Sequence, residues 1–413
     1  MPEALNLSRR TFIAAGAAAG AARSRLTAKS AARVVGANER LHVGMIGAGG
    51  NARGHMRALK RLAEEDNVEV TAVCDIYDPR REAAAEFTGG KPYKDYRRLL
   101  EHEGIDYVTI SVPEHWHAPI TLDAADAGLH IYVEKPLTYS ISEGVEVVRK
   151  VKGTGVLLQC GIQGMSDDSY EAAARFIKEG AIGKVVMAHI DYSRNHKSDF
   201  WLRDPDAGAK PGVNLDWKAF LGKAKKRPWD PNRFFSWRRY WDYSGGIATD
   251  LFVHRLARIV KACDLATPSR VVATGGHYYF NGGAEVPDTF NALLEYPEGV
   301  NVLLVSSMAN QTRIRHLIRG SKGTIEFTRE GFTIEPEALY REEVEARAHS
   351  KSGGEDMALH HHNLHNAIRT GEALKCDVDL AFNVSTACHM TVDSFRRKKS
   401  LRWDRRRQRV VRT

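Results

Sequence analysis

The 413-residue chain carries 60 Lys and Arg against 51 Asp and Glu, a net charge of +9, with 43% hydrophobic and 27% charged residues. Such a composition supports two domains with full hydrophobic cores. After the opening turns no run reaches the roughly 18 apolar residues of a spanning helix. The basic excess sits at the ends: residues 1–40 carry a net +5 and residues 391–413 a net +8, which leaves the body at −4. A nucleic-acid binder would carry its basic stripe across the folded body, so no nucleic-acid partner is expected.

At the N-terminus Ser8-Arg9-Arg10-Thr11-Phe12-Ile13 precedes a weakly apolar Ala/Gly stretch over 14–22, followed by Arg23, Arg25 and Lys29. This resembles a twin-arginine export signal, with its linker filling 1–36 and a cut near Ser30 to Ala32. The expectation is a periplasmic or extracellular protein. Five cysteines (Cys74, Cys160, Cys263, Cys376, Cys388) show neither metal spacing nor a disulfide pattern.

From Leu41 short apolar strands (41–46, 68–74, 107–112, 130–133, 156–160) alternate with amphipathic stretches such as 53–65, 80–87 and 119–127. That rhythm predicts a doubly wound parallel sheet, a Rossmann domain over 37–161. A second, α+β domain follows over 162–404. It opens with a helix at 169–179 and a strand at 185–192. An irregular stretch, 193–243, holds five of the seven tryptophans. Strands at 270–280, 289–296, 300–307, 313–318 and 324–327 with short turns predict an open, mostly antiparallel sheet. Helices at 359–369 and 382–396 close the fold, and 405–413 reads as a basic, solvated tail.

The first strand runs into Gly47-Ala48-Gly49-Gly50-Asn51-Ala52 and then a helix. In this GxGxxA pattern Gly47 permits the tight turn, Gly49 lets a pyrophosphate approach the backbone, and Ala52 allows close helix packing. Gly50 and Asn51 complete the cofactor-binding loop, whose free N–H groups and helix dipole favour phosphate. Asp75, ending the second strand, can accept both ribose hydroxyls and would repel a 2′-phosphate, which points to NAD rather than NADP. Arg80 and Arg81 nearby weigh the other way.

Glu134-Lys135-Pro136 follows the strand at 130–133, and ligands of such sheets bind beyond the carboxyl ends of strands. Alcohol oxidation needs a base beside the hydride acceptor, and Lys135 is placed to be that base. Pro136 restrains the preceding backbone and admits a cis bond. In Gly245-Gly246-Ile247-Ala248-Thr249-Asp250-Leu251-Phe252-Val253-His254, Asp250 and His254 are four apart and share a helix face, about 40° apart. His can pass a proton while Asp holds a substrate hydroxyl or orients the His.

Together these motifs, with Val112-Pro113-Glu114-His115-Trp116-His117, resemble the Gfo/Idh/MocA oxidoreductases over nearly all of 41–404. The resemblance implies Lys135 as catalytic lysine, His254 as proton relay and Asp250 as holder of a substrate hydroxyl. It also implies Pro113 and His117 beside the cofactor and Glu134 on the nicotinamide side. Many members carry an arginine shortly after the glutamine matching Gln163, whereas here Gly164-Met165 follow. The substrate expected is a sugar or polyol, and the tryptophans of 193–243 either stack on it or pin their segment to the core. A homo-oligomer is expected as well. Scarce dinucleotide outside the cytoplasm implies that NAD is held tightly. A glycosidase that oxidises a sugar hydroxyl transiently, and a dinucleotide-binding protein without turnover, remain as alternatives. His360-His361-His362 with His365 invites a metal, but no carboxylate or cysteine is spaced to complete a site, so none is predicted.

Overall fold

A computed structural model describes residues 40–412, so the export-signal reading of 1–36 lies outside the described residues. The N-terminal sheet is built from β1 (Leu41–Ile46), β2 (Val68–Cys74), β3 (Lys91–Tyr93), β4 (Tyr107–Ile110), β5 (His130–Glu134) and β6 (Leu158–Gly161). All pairs are parallel in the order β3-β2-β1-β4-β5-β6. The order reverses between β1 and β4, and ligands of doubly wound sheets bind at that crevice. The central strands are buried on both faces, which is why they read as continuous apolar runs rather than alternating ones.

Helices α1 (Gly50–Leu62), α2 (Asp78–Thr88), α3 (Tyr96–Leu100), α4 (His117–Asp126) and α5 (Ile141–Thr154) cover this sheet. In α5, Ser140 accepts from the Glu143 N–H while Glu143 reaches back to the Ser140 N–H, a capping box. Gly155, left-handed at φ 74°, ends the same helix.

The second domain adds α6 (Ser169–Lys178), β7 (Val185–Asp191), α7 (Trp217–Leu221), α8 (Pro231–Phe235) and α9 (Val253–Ala262). Strands β8 (Arg270–Gly276), β9 (Thr289–Glu295), β10 (Asn301–Ser307), β11 (Leu317–Gly320), β12 (Gly323–Phe327), β13 (Gly331–Pro336) and β14 (Arg347–Ser350) follow. Helices α10 (Met357–Thr370) and α11 (Val378–Arg397) and strands β15 (Leu401–Asp404) and β16 (Arg409–Arg412) complete the chain. The sheet has ten strands in the order β14-β13-β12-β11-β7-β10-β9-β8-β15-β16. It is antiparallel except where β10 runs parallel to β7. One face packs on α9 and α11 in the larger core. The other leaves Val186, Val272 and Leu293 exposed.

One expectation changes here. In the stretch 405–413, read as a solvated tail, the described residues 405–412 instead turn back so that β16 pairs antiparallel with β15, which itself extends β8. Arg407 N–H donates to Asp404 Oδ1 in the turn, and buried Leu401 anchors the hairpin. Strands β13 and β14 extend the sheet beyond the expected strands: β13 alternates only over Phe332-Thr333-Ile334-Glu335, and β14 is mostly exposed and carries no apolar alternation. Helix α10 returns to the first domain and packs its Ala358, Leu364 and Ile368 into the core under α1.

Candidate active site

The glycine loop opens a cleft at the switch point. Gly47 N–H donates to Cys74 O at 2.8 Å, and its φ of +93° places a hypothetical Cβ 2.5 Å from Ser111 O, so only glycine fits. Gly49 caps α1 without a side-chain hydrogen bond, and the first turn of α1 holds no acidic residue. The free N–H groups and dipole of that turn are open to an anion. Arg80 Nη1 and Arg203 Nη1 lie 3.7 and 3.5 Å from the Cβ positions of Gly49 and Gly50, two guanidinium groups flanking the same opening. This donor set fits a dinucleotide pyrophosphate.

The cleft encloses about 710 Å³ and is lined by Gly47, Gly49, Gly50, Asn51, Asp75, Pro113, Glu134 and Lys135 among the residues singled out from the sequence. Arg80, Arg203, Trp237 and Arg238 line it too. Asp75 accepts from Ala48 N–H at 2.8 Å and from Tyr77 N–H at 2.9 Å, one bond on each oxygen. Each oxygen keeps a second lone pair for a ribose hydroxyl. Burial raises this carboxyl above its ordinary range, against the pull of Arg80 and the two N–H groups. Arg81 Nη1 donates to Asp78 Oδ1 at 2.7 Å and to the Asp75 backbone carbonyl at 3.2 Å. Ala52 is fully buried behind the loop and packs α1 on the sheet, as its small side chain requires.

At the other end Lys135 Nζ donates to Asp250 Oδ1 at 2.6 Å and to Asp250 O at 2.9 Å. Its third N–H position is left for the cleft it lines. Arg238 Nε donates to the same Asp250 Oδ1 at 2.7 Å. Against the cost of burial, these two cations hold Asp250 far below the usual carboxylate range. Stripping Asp250 from this group would strand two cations, a loss of about 3–5 kcal/mol for a buried pair. The Lys135–Pro136 bond is cis.

Asp250 and His254 do not sit on one regular α-helix. Residues Ala248–Phe252 form a π turn that runs into α9, a wider turn often found at functional sites. Asp250 therefore turns to Lys135 and Arg238, while His254 turns to the Tyr192 ring and to Glu355, whose Oε1 is 4.0 Å from Nδ1. Burial, and then the charge of Lys135, pushes the His254 imidazole down to about 4, so it is neutral near pH 7.

In the run 112–117, Val112, Pro113 and Trp116 line the cleft while Glu114, His115 and His117 build its frame. Buried Glu114 accepts from Ser244 Oγ at 2.6 Å, Gly245 N–H at 3.1 Å and Thr249 Oγ1 at 2.9 Å, pinning the entry to the π turn. His117 is expected beside the cofactor but is buried away from the cleft. Its ring nitrogens face Pro136 O at 2.6 Å and Val112 O at 2.9 Å, tying the two loops together. His115 and Trp116 both bond Phe220 O. That carbonyl belongs to a strap, residues 203–243, that crosses back over the first domain. Asp78 N–H donates to Asn214 O and Asp216 N–H to Ile76 O, beside Asp75. Trp217 and Trp229 pack in the strap's own core with Phe220, Phe234 and Tyr243. Trp201 and Trp241 rest on the large core. Of the five tryptophans in this stretch, Trp237 faces the cleft.

Sequence reasoning passed over several groups here. Glu134 accepts from His55 Nε2 at 2.9 Å and from Gln163 Nε2 at 2.7 Å. Despite burial, His55 and the charge of Lys135 take this carboxyl down to about 2. Gly164 is small because Arg258 lies on it: a Cβ there would stand 1.9 Å from Nη2. The space over this glycine, which follows Gln163, is filled by Arg258 of α9. The histidines of α10 are also not without a carboxylate, since the fold brings Asp66 to His362 at 2.6 Å and His365 at 2.5 Å. No local pattern points to this pairing, because Asp66 lies 299 residues before His365.

The cleft, the glycine-loop cradle and the lysine at the end of β5 lie at the switch point of a Rossmann-type domain. Residues 41–162 match the family model described as "Oxidoreductase family, NAD-binding Rossmann fold", and 224–326 match the GFO/IDH/MocA C-terminal domain. The two together span more than half of the chain, which belongs to the Gfo/Idh/MocA family. It is 35% identical over 134 residues to scyllo-inositol 2-dehydrogenase (NAD(+)) of Bacillus subtilis, covering 32% of this chain and 39% of that protein. It is 27% identical over 188 residues to alpha-N-acetylgalactosaminidase of Shewanella oneidensis, covering 40% of this chain and 39% of that one. Both matches span less than half of the relative's length. The fold is that of levoglucosan dehydrogenase in complex with NADH and levoglucosan, with a TM-score of 0.68, 19% identity and coverage of 88% of this chain and 99% of that one.

Burial raises the Glu114 carboxyl to about 7, above an unfolded value of about 4.3. The folded state then binds the extra proton, so this group stabilises the protein as pH falls from 7 towards 4.3. His254 acts in the opposite sense over 6.5 to 4 in both proteins compared. Glu114→Gln should therefore gain stability relative to wild type on going from pH 4.5 to pH 8, read from urea midpoints at each pH. A pH-independent difference would remove Glu114 as the source.

Proposed function

We propose that this protein is an NAD-dependent oxidoreductase acting on a CH–OH group of a sugar or polyol. The observation that carries the reading is Lys135, fixed at the end of β5 with two of its three N–H positions on Asp250 and the third left for the cleft. Gly47, Gly49, Gly50 and Asn51, with Arg80 and Arg203, would hold the pyrophosphate, and Asp75 the ribose. When bound, the nicotinamide supplies the hydride acceptor or donor.

The protein's own part is proton handling. In oxidation Lys135 Nζ takes the hydroxyl proton, and the Asp250 carboxylate steadies the ammonium that results. Arg238 keeps Asp250 ionised throughout. His254, neutral near pH 7, is an acceptor for the proton's next step, directly or through the substrate. Glu134 presents fixed negative charge to the same wall of the cleft. Arg238 stacked on Trp237 at 4.3 Å offers a polar and an aromatic face together, the pair a ring bearing hydroxyls needs.

The strap favours a cofactor that stays in place through turnover, because residues 203–243 cross the first domain beside Asp75 and bond Ile76 and Asp78. Tight retention would suit a protein exported with its cofactor, as Arg9-Arg10 suggests. Exposed Val186, Val272 and Leu293 on the open sheet face favour a homo-oligomer. The similarity to the Shewanella glycosidase supports a second reading, in which a glycoside is oxidised, cleaved and reduced again on one bound NAD.

Incubation with panels of inositols, sugars and glycosides, followed by mass spectrometry, separates the two: an oxidised product supports the first reading and released aglycone the second. Lys135→Met should lower turnover by about 10²–10⁴-fold with NAD affinity unchanged, and near-wild-type turnover would remove the proposed base. Asp75→Ser should bring NADP affinity towards that for NAD; wild-type protein that already prefers NADP would contradict the role given to Asp75. Changing Arg9 and Arg10 together to Lys should keep the precursor inside the cell, and undiminished export would refute the signal reading.

A further inference from the structure

A chain of hydrogen bonds starts at Glu134 in the cleft wall and crosses beneath α1 to the far side of the domain. Glu134 Oε1 meets His55 Nε2 at 2.9 Å, and His55 Nδ1 meets His361 Nε2 at 2.9 Å. His361 Nδ1 is 3.4 Å from Tyr107 Oη, which is 2.9 Å from His365 Nε2. His365 Nδ1 is 2.5 Å from Asp66 Oδ2, and Asp66 Oδ1 is 2.6 Å from His362 Nδ1. His55, Tyr107, His361 and His365 are fully buried, whereas the His362 side chain is 39% exposed. The Tyr132 ring stacks on His361 at 4.3 Å and shields the middle of the chain.

The carboxylates fix the protons. Against the push of burial, His365 and His362 hold Asp66 below the usual carboxylate range, as His55 does for Glu134. Both ends are therefore acceptors, so His55 donates from Nε2 and His365 from Nδ1. His55 Nδ1 then accepts from His361 Nε2–H, and His365 Nε2 accepts from Tyr107 O–H. Two lone pairs are left facing each other, on His361 Nδ1 and Tyr107 Oη, and that contact is the longest of the five at 3.4 Å. The neutral chain is thus one proton short of complete, and its gap is where the geometry is loosest.

We propose that His55, His361, Tyr107 and His365 form a proton relay that takes up one proton and moves its charge between Glu134 at the cleft and Asp66 beneath the surface. With the charge on His55, the N–H bond at His55 Nδ1 breaks as one forms at His361 Nε2. The His361 Nδ1–H bond breaks as O–H forms at Tyr107, and the former Tyr107 proton passes to His365 Nε2. Three bonds break and three form: His361 passes from its Nδ1–H to its Nε2–H tautomer, Tyr107 keeps one proton, and His365, beside Asp66, is now the cation in place of His55. Burial and the neighbouring His55 and His365 push His361 far below its ordinary range, so the charge rests at the ends. Lys135 and His254 face the Glu134 end, His360 the middle, and Arg369, His362 and Glu65 the Asp66 end. Positive charge entering the cleft drives the proton towards Asp66; removing it lets the proton return. These are positioning residues that act through Glu134, and the link to nicotinamide redox state rests on the function proposed above.

Ring-nitrogen NMR of the full chain as purified, labelled with ¹⁵N-histidine, tests the relay without reference to activity. At neutral pH His55 and His361 should carry hydrogen on Nε2 and His365 on Nδ1. On acidification His55 and His365 should share one midpoint, and Tyr107→Phe, which keeps the ring and removes the hydroxyl, should split it. Asp66→Asn should lower the midpoint by about one pH unit and move titration amplitude from His365 to His55. Unrelated midpoints in the wild type, or curves unchanged by Tyr107→Phe, overturn the relay. If Tyr107→Phe does not fold, by near-ultraviolet circular dichroism, an unmoved His55 amplitude in Asp66→Asn overturns it instead. Protein poised with oxidised dinucleotide should show a lower midpoint than with reduced dinucleotide. Equal values overturn the coupling to the cofactor, while the tautomers and Tyr107→Phe decide the relay independently.

Discussion

The site depends on one buried ionic contact across the domain boundary. Lys135 ends a strand of the first domain, and Asp250 with Arg238 comes from the second. Neither the Lys135 nor the Asp250 side chain can be buried alone, because an uncompensated charge in that setting costs several kcal/mol. Two domains that share this group must close on each other, and closing places a lysine N–H at the cleft floor. Holding the domains together and fixing Lys135 at the cleft are the same interaction. Glu114 serves the same end from the first domain, since its three hydrogen bonds fix the π turn that aims Asp250.

The strap adds enclosure. It leaves the second domain, lays Phe220 O on His115 and Trp116, and exchanges backbone bonds with Ile76 and Asp78. Its aromatic residues mostly face one another, so it behaves as a small satellite core seated on Tyr77. Arg80 is trapped among Tyr77, Phe234 and Phe235, with its guanidinium at the glycine loop. A cation held between aromatic faces keeps its charge pointed at the anion site while its stem contributes packing.

Around the site, identity and size at single positions follow from neighbours far along the chain. Gly164 is required by Arg258, which also reaches Glu355 at 3.0 Å, and Glu355 in turn faces His254. Helix α10, which supplies His361 and His365, is the second domain's contribution to the core of the first. The histidines beneath α1 therefore join the cleft wall to the domain packing itself.

The sequence alone determined what local backbone geometry dictates. The glycine loop, the strand ends that carry Asp75 and Lys135, the alternation that makes a parallel sheet and the glycines before Asp250 all rest on turns and periodicities within a few residues. Only the tertiary structure decided which groups meet. Arg238 on Asp250, Glu114 on Gly245 and Arg203 at Gly50 are such meetings, and His55 with His361 spans 306 residues. It also turned the expected α-helical Asp/His face into a π turn, drew His117 out of the cleft, and folded the basic end into a hairpin. The reason is physical: a buried charge or imidazole is specified by what surrounds it in space, and a linear pattern holds no record of partners brought together by packing.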